Sequence, residues 1–171
     1  KMTTLEDTFS CNFNVLIAGV PQVLGVADLL TEWIAFRTEC VNRRVYFDLT
    51  KAKDKLHLLL GLQKILLDID KAIKIIRETE SESEVVPNLM IGFGIDQIQA
   101  EYVAEIKLRH LNREYILKRT ADISDLKKEI AEMEIILNDP KKINNLIIDD
   151  LKEVIKKYDQ PRRSEIIYVS E

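Results

Sequence analysis

From Val26 to Thr79 the chain runs without proline and with one interior glycine, Gly61, while apolar residues recur at helical spacing. Leu30, Ile34, Val41, Val45, Leu49, Ala52, Leu56, Leu59, Leu62, Leu66, Ile69, Ile73 and Ile76 mostly step by three or four. That period predicts one long amphipathic helix with a narrow seam. About 54 residues at about 1.5 Å each would reach roughly 80 Å, whereas a compact domain of this length is only roughly 30 Å across. The pattern therefore predicts an arm.

The flanking segments read differently. Phe13 to Ile17 is apolar and extended, Ala18-Gly19-Val20-Pro21 signals a turn, and Gln22 to Leu24 resumes the extended pattern, so a short β-hairpin is expected. Thr79 to Glu84 reads as a polar loop, and Pro87, Gly92 and Gly94 punctuate a compact apolar stretch. Asp96 is placed to cap a helix running to about Leu111, and Asn112 to cap another carrying Ile116, Thr120, Ile123, Ile130, Met133 and Leu137. Pro140 breaks that helix, and a last one from about Lys141 to Tyr158 shows Ile143, Ile147, Leu151, Val154 and Tyr158 on a seam. Ile166 to Val169 reads as a short strand.

The two later helices nearly match the first in length. The expected fold is mainly α, a long antiparallel coiled-coil arm with a small helical globular head at its tip and a short β-hairpin at its base. The segments are 1–25, 26–79, 80–112, 113–160 and 161–171. Between Leu59 and Leu62 the seam slips by successive threes, with Gly61 inside the slip; local repacking and a hinge are both open readings there.

Composition narrows the function classes. Hydrophobic residues make up 46% and charged residues 32%, a balance that favours ordered helical structure. The net charge of −4 is unevenly distributed. Glu78, Glu80, Glu82, Glu84, Asp96, Glu101 and Glu105 fall in a stretch with no Lys or Arg, while Arg37, Arg43, Arg44, Lys51, Lys53 and Lys55 outnumber the acids around them. Cys11 and Cys40 form no CxxC and suit a reducing, cytoplasmic compartment. No segment has the length of uncharged apolar sequence that a membrane span needs. The start at Lys1 rather than at methionine suggests a fragment. His57 and His110 lack partners at metal-ligand spacing, no phosphate-binding glycine loop is present, and no nucleophilic triad is legible, so no residue here is read as catalytic.

Several segments together resemble one family. Arg43-Arg44-Val45-Tyr46-Phe47-Asp48-Leu49, Lys51-Ala52, Leu56-His57-Leu58-Leu59-Leu60-Gly61-Leu62, Asp68-Ile69-Asp70 and Ile75-Ile76-Arg77 are similar, in order, to a characteristic stretch of bacterial type IIA DNA topoisomerase A subunits, of gyrase or topoisomerase IV. Met2-Thr3-Thr4-Leu5, Asn12-Phe13-Asn14, Leu29 to Ile34, Gln97 to Ala100, Leu108 to Leu111 and Arg162 to Ile166 fit the same family. Tyr102-Val103-Ala104 and Asn112-Arg113-Glu114 depart from its usual residues.

The resemblance implies the exit-gate (C-gate) segment of the DNA breakage-reunion subunit of an ATP-dependent isomerase, closing the gate through which the transported duplex leaves. Residues 1–25 would end the tower domain, 26–79 and 113–160 would be the rails of the arm, 80–112 the dimerisation tip, and 161–171 the return to the base. The implied partners are a second copy through the tip, double-stranded DNA and an ATPase subunit of the gyrase B type, with no membrane. ATP and Mg2+ would be used by other domains, no cofactor or metal is expected in this fragment, and alone it should be inactive. The candidate dimer contacts are Met90, Phe93, Ile98, Tyr102, Ile106 and Arg109, and the basic residues Arg37, Arg43, Arg44, Lys51, Lys53 and Lys55 form a candidate DNA-facing base. The alternatives are a coiled-coil adaptor whose tip binds another protein, and an arm that binds nucleic acid directly.

Overall fold

The computed structural model describes Ser10, residues 12–107 and residues 111–165. The elements are β1 (Phe13–Ile17), β2 (Val20–Leu24), α1 (Val26–Leu66), α2 (Ile69–Glu78), α3 (Glu82–Phe93), α4 (Gln97–Ala104), α5 (Arg113–Leu137) and α6 (Pro140–Tyr158). The fold is thus mainly α with one antiparallel hairpin. The expected strand at Ile166 to Val169 lies outside the described residues. The chain divides into two compact units, one of Lys1–Arg43 with Pro140–Glu171 and a central one of Arg44–Asp139.

In the first unit the hairpin closes on a tighter turn than the sequence suggested. Ile17 pairs with Val20, leaving Ala18 and Gly19 as a two-residue loop with φ of 50° and 81°. Both positive angles match the turn whose twist suits a hairpin, and Ala18 occupies a region that a Cβ disfavours. Pro21 is therefore in β2, opposite Leu16, where a two-stranded sheet leaves an open edge for a residue without an N–H. Within the same unit, Arg37 on α1 meets Asp150 on α6 at 2.6 Å, beside buried Val41, Ile143 and Ile147. Leu30, Ile34, Leu151, Val154 and Tyr158, expected on the seams, are exposed instead.

The central unit holds a core from five helices: Leu49, Leu59, Leu62 and Ile65 of α1, Ala72 of α2, Leu89 of α3, Ala100 and Val103 of α4, and Ile123, Leu126 and Ile130 of α5. Here α1 and α5 run antiparallel. Lys53 pairs with Glu134 at 2.6 Å, and further along α1 Leu59 and Leu66 line one groove with Ile116 and Ile123. The three-residue steps from Leu56 through Leu59 and Leu62 to Ile65 each fall roughly 60° short of a full turn. The buried face of α1 consequently swings round the helix where α4 joins α5 against it. Gly61 is buried on that new face, and α1 passes through it without interruption.

The single helix expected over Val26 to Thr79 is instead two. α1 stops at Leu66, Leu67 is 83% exposed, and the Asp68 side chain accepts from the Lys71 backbone N–H at 3.1 Å to cap α2. A side chain able to cap competes with continuation of the helix, and the turn it makes lets Ala72 enter the core. The loop expected at Thr79 to Glu84 is correspondingly short, because α3 begins at Glu82 and continues through Pro87. Glu82 and Glu84 in its first turn suit the positive end of the helix. Gly94, at φ 58°, ends it, its N–H donating to the Met90 carbonyl at 2.9 Å.

Candidate functional site

Three short helices, α2 to α4, form a cap on the end of α1, and the cap carries the residues expected to make contacts. Its attachment begins with backbone chemistry. Asp96 accepts from the Gln99 N–H at 2.9 Å while the Gln99 side chain accepts from the Asp96 N–H at 3.3 Å, a reciprocal capping box at the start of α4. The same two residues reach α1. The other oxygen of Asp96 lies 2.5 Å from Nε2 of His57, and the Gln99 amide donates to the His57 carbonyl at 2.7 Å. The Gln99 backbone N–H, with His57 and the Ile98 backbone N–H behind it, holds the Asp96 carboxyl below the ordinary carboxylate range, against an opposing effect of burial. His57 has no partner at metal-ligand spacing in the sequence; the fold supplies an acid partner from a residue far along the chain.

Lysines fix the rest of the cap. Lys64 donates to the Gly94 carbonyl at 2.7 Å and Lys71 to that of Gly92 at 2.6 Å, both at the carboxyl end of α3. Lys71 also stands 4.9 Å from the centre of the Phe93 ring.

Among the six candidate contact residues, Ile98 is 63% exposed on α4. Met90, Phe93, Tyr102 and Ile106 are half-buried against the core, so part of each side chain is already used within the unit. Arg109 lies outside the described residues. Sequence reasoning passed over Ile91, which is 82% exposed on α3; its place on the face away from buried Leu89 was the available signal. Tyr102 sits by Tyr115 and Arg119, and burial, then the Tyr115 hydroxyl, raises its pKa. The Arg119 guanidinium lies over the Tyr115 ring at 4.8 Å and pairs with Asp122 at 2.9 Å.

The basic residues differ in their partners. Arg37 is committed to Asp150, Lys53 to Glu134, and Arg43 approaches Glu39 at 3.8 Å. Arg44, Lys51 and Lys55 are exposed. Among the described residues, no group of three His, Cys, Asp or Glu could hold a metal ion, and no helix is long and apolar enough to cross a membrane.

A mainly α chain with one small antiparallel hairpin is the class that the fold defines. The chain belongs to the family of DNA gyrase/topoisomerase IV A subunits, whose model matches residues 1–152. It is 39% identical to the DNA topoisomerase 4 A subunit of Salmonella typhimurium over 163 residues, 95% of this chain and 21% of that protein. It is 36% identical to the DNA gyrase A subunit of Clostridium acetobutylicum over 97% of this chain and 20% of the relative. With that of Borreliella burgdorferi the identity is 36% over 100% of the chain and 21% of the relative. The chain spans about a fifth of the length of these relatives.

Proposed function

We propose that this chain forms the exit gate within the A subunit of a type IIA topoisomerase, with two copies meeting through α3 and α4 to close the gate through which a transported duplex leaves. The observation that carries this reading is the pair of exposed isoleucines, Ile91 and Ile98, on the cap of a chain belonging to this family. Exposed large apolar side chains on two adjoining helices of one small cap suit a self-contact. Met90, Phe93, Tyr102, Ile106 and Arg109 would flank them, the half-buried ones contributing their outer edges.

In the whole enzyme the partners would be double-stranded DNA and a B-type ATPase subunit. ATP and Mg2+ would act through other domains, in the cytoplasm, and the fragment alone would not relax DNA. Arg37, Arg43, Arg44, Lys51, Lys53 and Lys55 would form the DNA-facing base, with Arg37 and Lys53 also held in ion pairs to Asp150 and Glu134. Light scattering of the chain across micromolar concentrations tests the gate. A concentration-dependent dimer is expected, and a strict monomer throughout would count against a self-sufficient gate.

A further inference from the structure

We propose that His57, Asp96 and Gln99 form a clasp, seated on Gly61, that locks α4 to α1 so that load on the outer face of α4 passes into the long helix. Gln99 is buried at 7% exposure although it is polar, and its polar atoms are used across two elements. Its side chain fits there because position 61 has none. A Cβ on Gly61 would meet Cβ of Gln99 at 2.6 Å and its Cγ at 2.8 Å, so only glycine lets α4 approach this closely. The gap at Gly61 lies one helical turn beyond the His57 carbonyl and exposes it to the Gln99 amide.

The partners of its two nitrogens assign the His57 ring a tautomer. The Asp96 carboxylate can only accept, so Nε2 of His57 carries the proton that it takes up. Nδ1 of His57 lies 3.4 Å from the Gln99 amide nitrogen, which donates, so Nδ1 is the bare nitrogen of that tautomer. Each group in the clasp thus has its complement: Asp96 accepts from His57 and from α4, and Gln99 bridges the carbonyl of α1 and the amide of Asp96. Ile98 lies between Asp96 and Gln99 in sequence, pointing outward at 63% exposure. The exposed isoleucine of α4 therefore lies in the sequence between two residues, Asp96 and Gln99, that are bound to α1.

Gln99→Met and His57→Ala test the clasp in the full 171-residue chain. Methionine keeps the volume and removes the bridging hydrogen bonds, whereas His57 is half-exposed and its loss leaves the core intact. Amide hydrogen exchange within α4 should accelerate about fivefold or more in each variant, the factor that one hydrogen bond of typical net worth implies. Amides around Ile123 and Ile130 of α5 should keep wild-type rates. Imidazole nitrogen shifts of the wild type should report the Nε2–H tautomer for His57. Unchanged α4 exchange in both variants, or the Nδ1–H tautomer, would overturn the clasp.

The consequence for self-contact rests on the gate reading above. There, Gln99→Met should weaken dimerisation about fivefold although Gln99 itself is buried. A wild-type chain that stays monomeric would remove the gate reading, while the exchange and tautomer measurements would still decide the clasp.

Discussion

A methyl group on Gly61 would lie 2.6 Å from Cβ of Gln99, an atom fixed to the backbone of α4 and unable to swing aside. Two effects of Gly61→Ala then compete. Alanine gains about 1 kcal/mol over glycine in a helix interior, whereas overpacking a core costs about 1–3 kcal/mol. Because relief requires moving α4 as a whole, the clash should win, with a net loss of up to about 2 kcal/mol. Urea unfolding measures it; a variant as stable as the wild type would show that α4 does not hold this approach.

The hairpin offers a change of opposite sign. Ala18 sits at φ 50° in a two-residue turn ahead of Gly19, where asparagine is favoured and a left-handed alanine is strained. Ala18→Asn should stabilise the chain by about 0.5–1 kcal/mol in thermal melts followed by circular dichroism. A lower melting temperature would refute the turn assignment.

At the break between α1 and α2, Asp68→Ala removes the acceptor for the Lys71 amide. The loss should be about 1 kcal/mol, typical of a helix N-cap. If instead helicity rises and stability is unchanged, the interruption at Leu67 is not maintained by this cap.

The contact face is tested with Ile98→Asp rather than with Tyr102, whose half-buried ring packs on the core by Tyr115. A charge at an exposed position should leave helix content unchanged and weaken any dimer at least about tenfold, equivalent to about 1.4 kcal/mol. Equal dimer affinity in sedimentation equilibrium would exclude Ile98 from the interface.

Acid should loosen the clasp. The Asp96 carboxyl titrates below its ordinary range because the Gln99 backbone N–H and His57 favour its charged form. A depressed folded-state pKa contributes stability that is complete above the unfolded value, near pH 4, and lost as pH falls through the lower folded value. Asp96→Asn keeps a capping side chain without the charge. The wild type should therefore lead this variant in urea midpoint at pH 6 and lose that lead near pH 2.5; a constant gap would rule out the charge.

The legible parts of the fold were those fixed by local chemistry. The Asp96 and Asn112 caps, the Pro140 break and the hairpin at Phe13 each declare themselves within a few residues. The seam of α1 was right in naming Val41, Val45, Leu49, Ala52, Leu59 and Leu62, all of which are buried. It missed Ile65, because the cap surrounds the end of α1 and no single face describes a helix buried from several sides, and it missed Ala72, which lies beyond the break, in α2. The break at Leu67 was hidden because Asp68 fits a polar helix position as readily as a cap. Of the site, Ile98 was read correctly as apolar surplus, but the partnership of His57 with Asp96 spans 39 residues and leaves no periodic trace.

The uneven charge of the chain has one more consequence. A second copy docking on the cap would bring acidic stretches from Glu78 to Glu105 toward each other, so added salt should tighten self-association by screening their repulsion. Any grip of Lys51 and Lys55 on a duplex would respond in the opposite sense, weakening as counterions compete for the phosphates. If the gate reading proposed above holds, ionic strength would act on the two ends of the central unit with opposite signs, favouring a shut gate and a released duplex together.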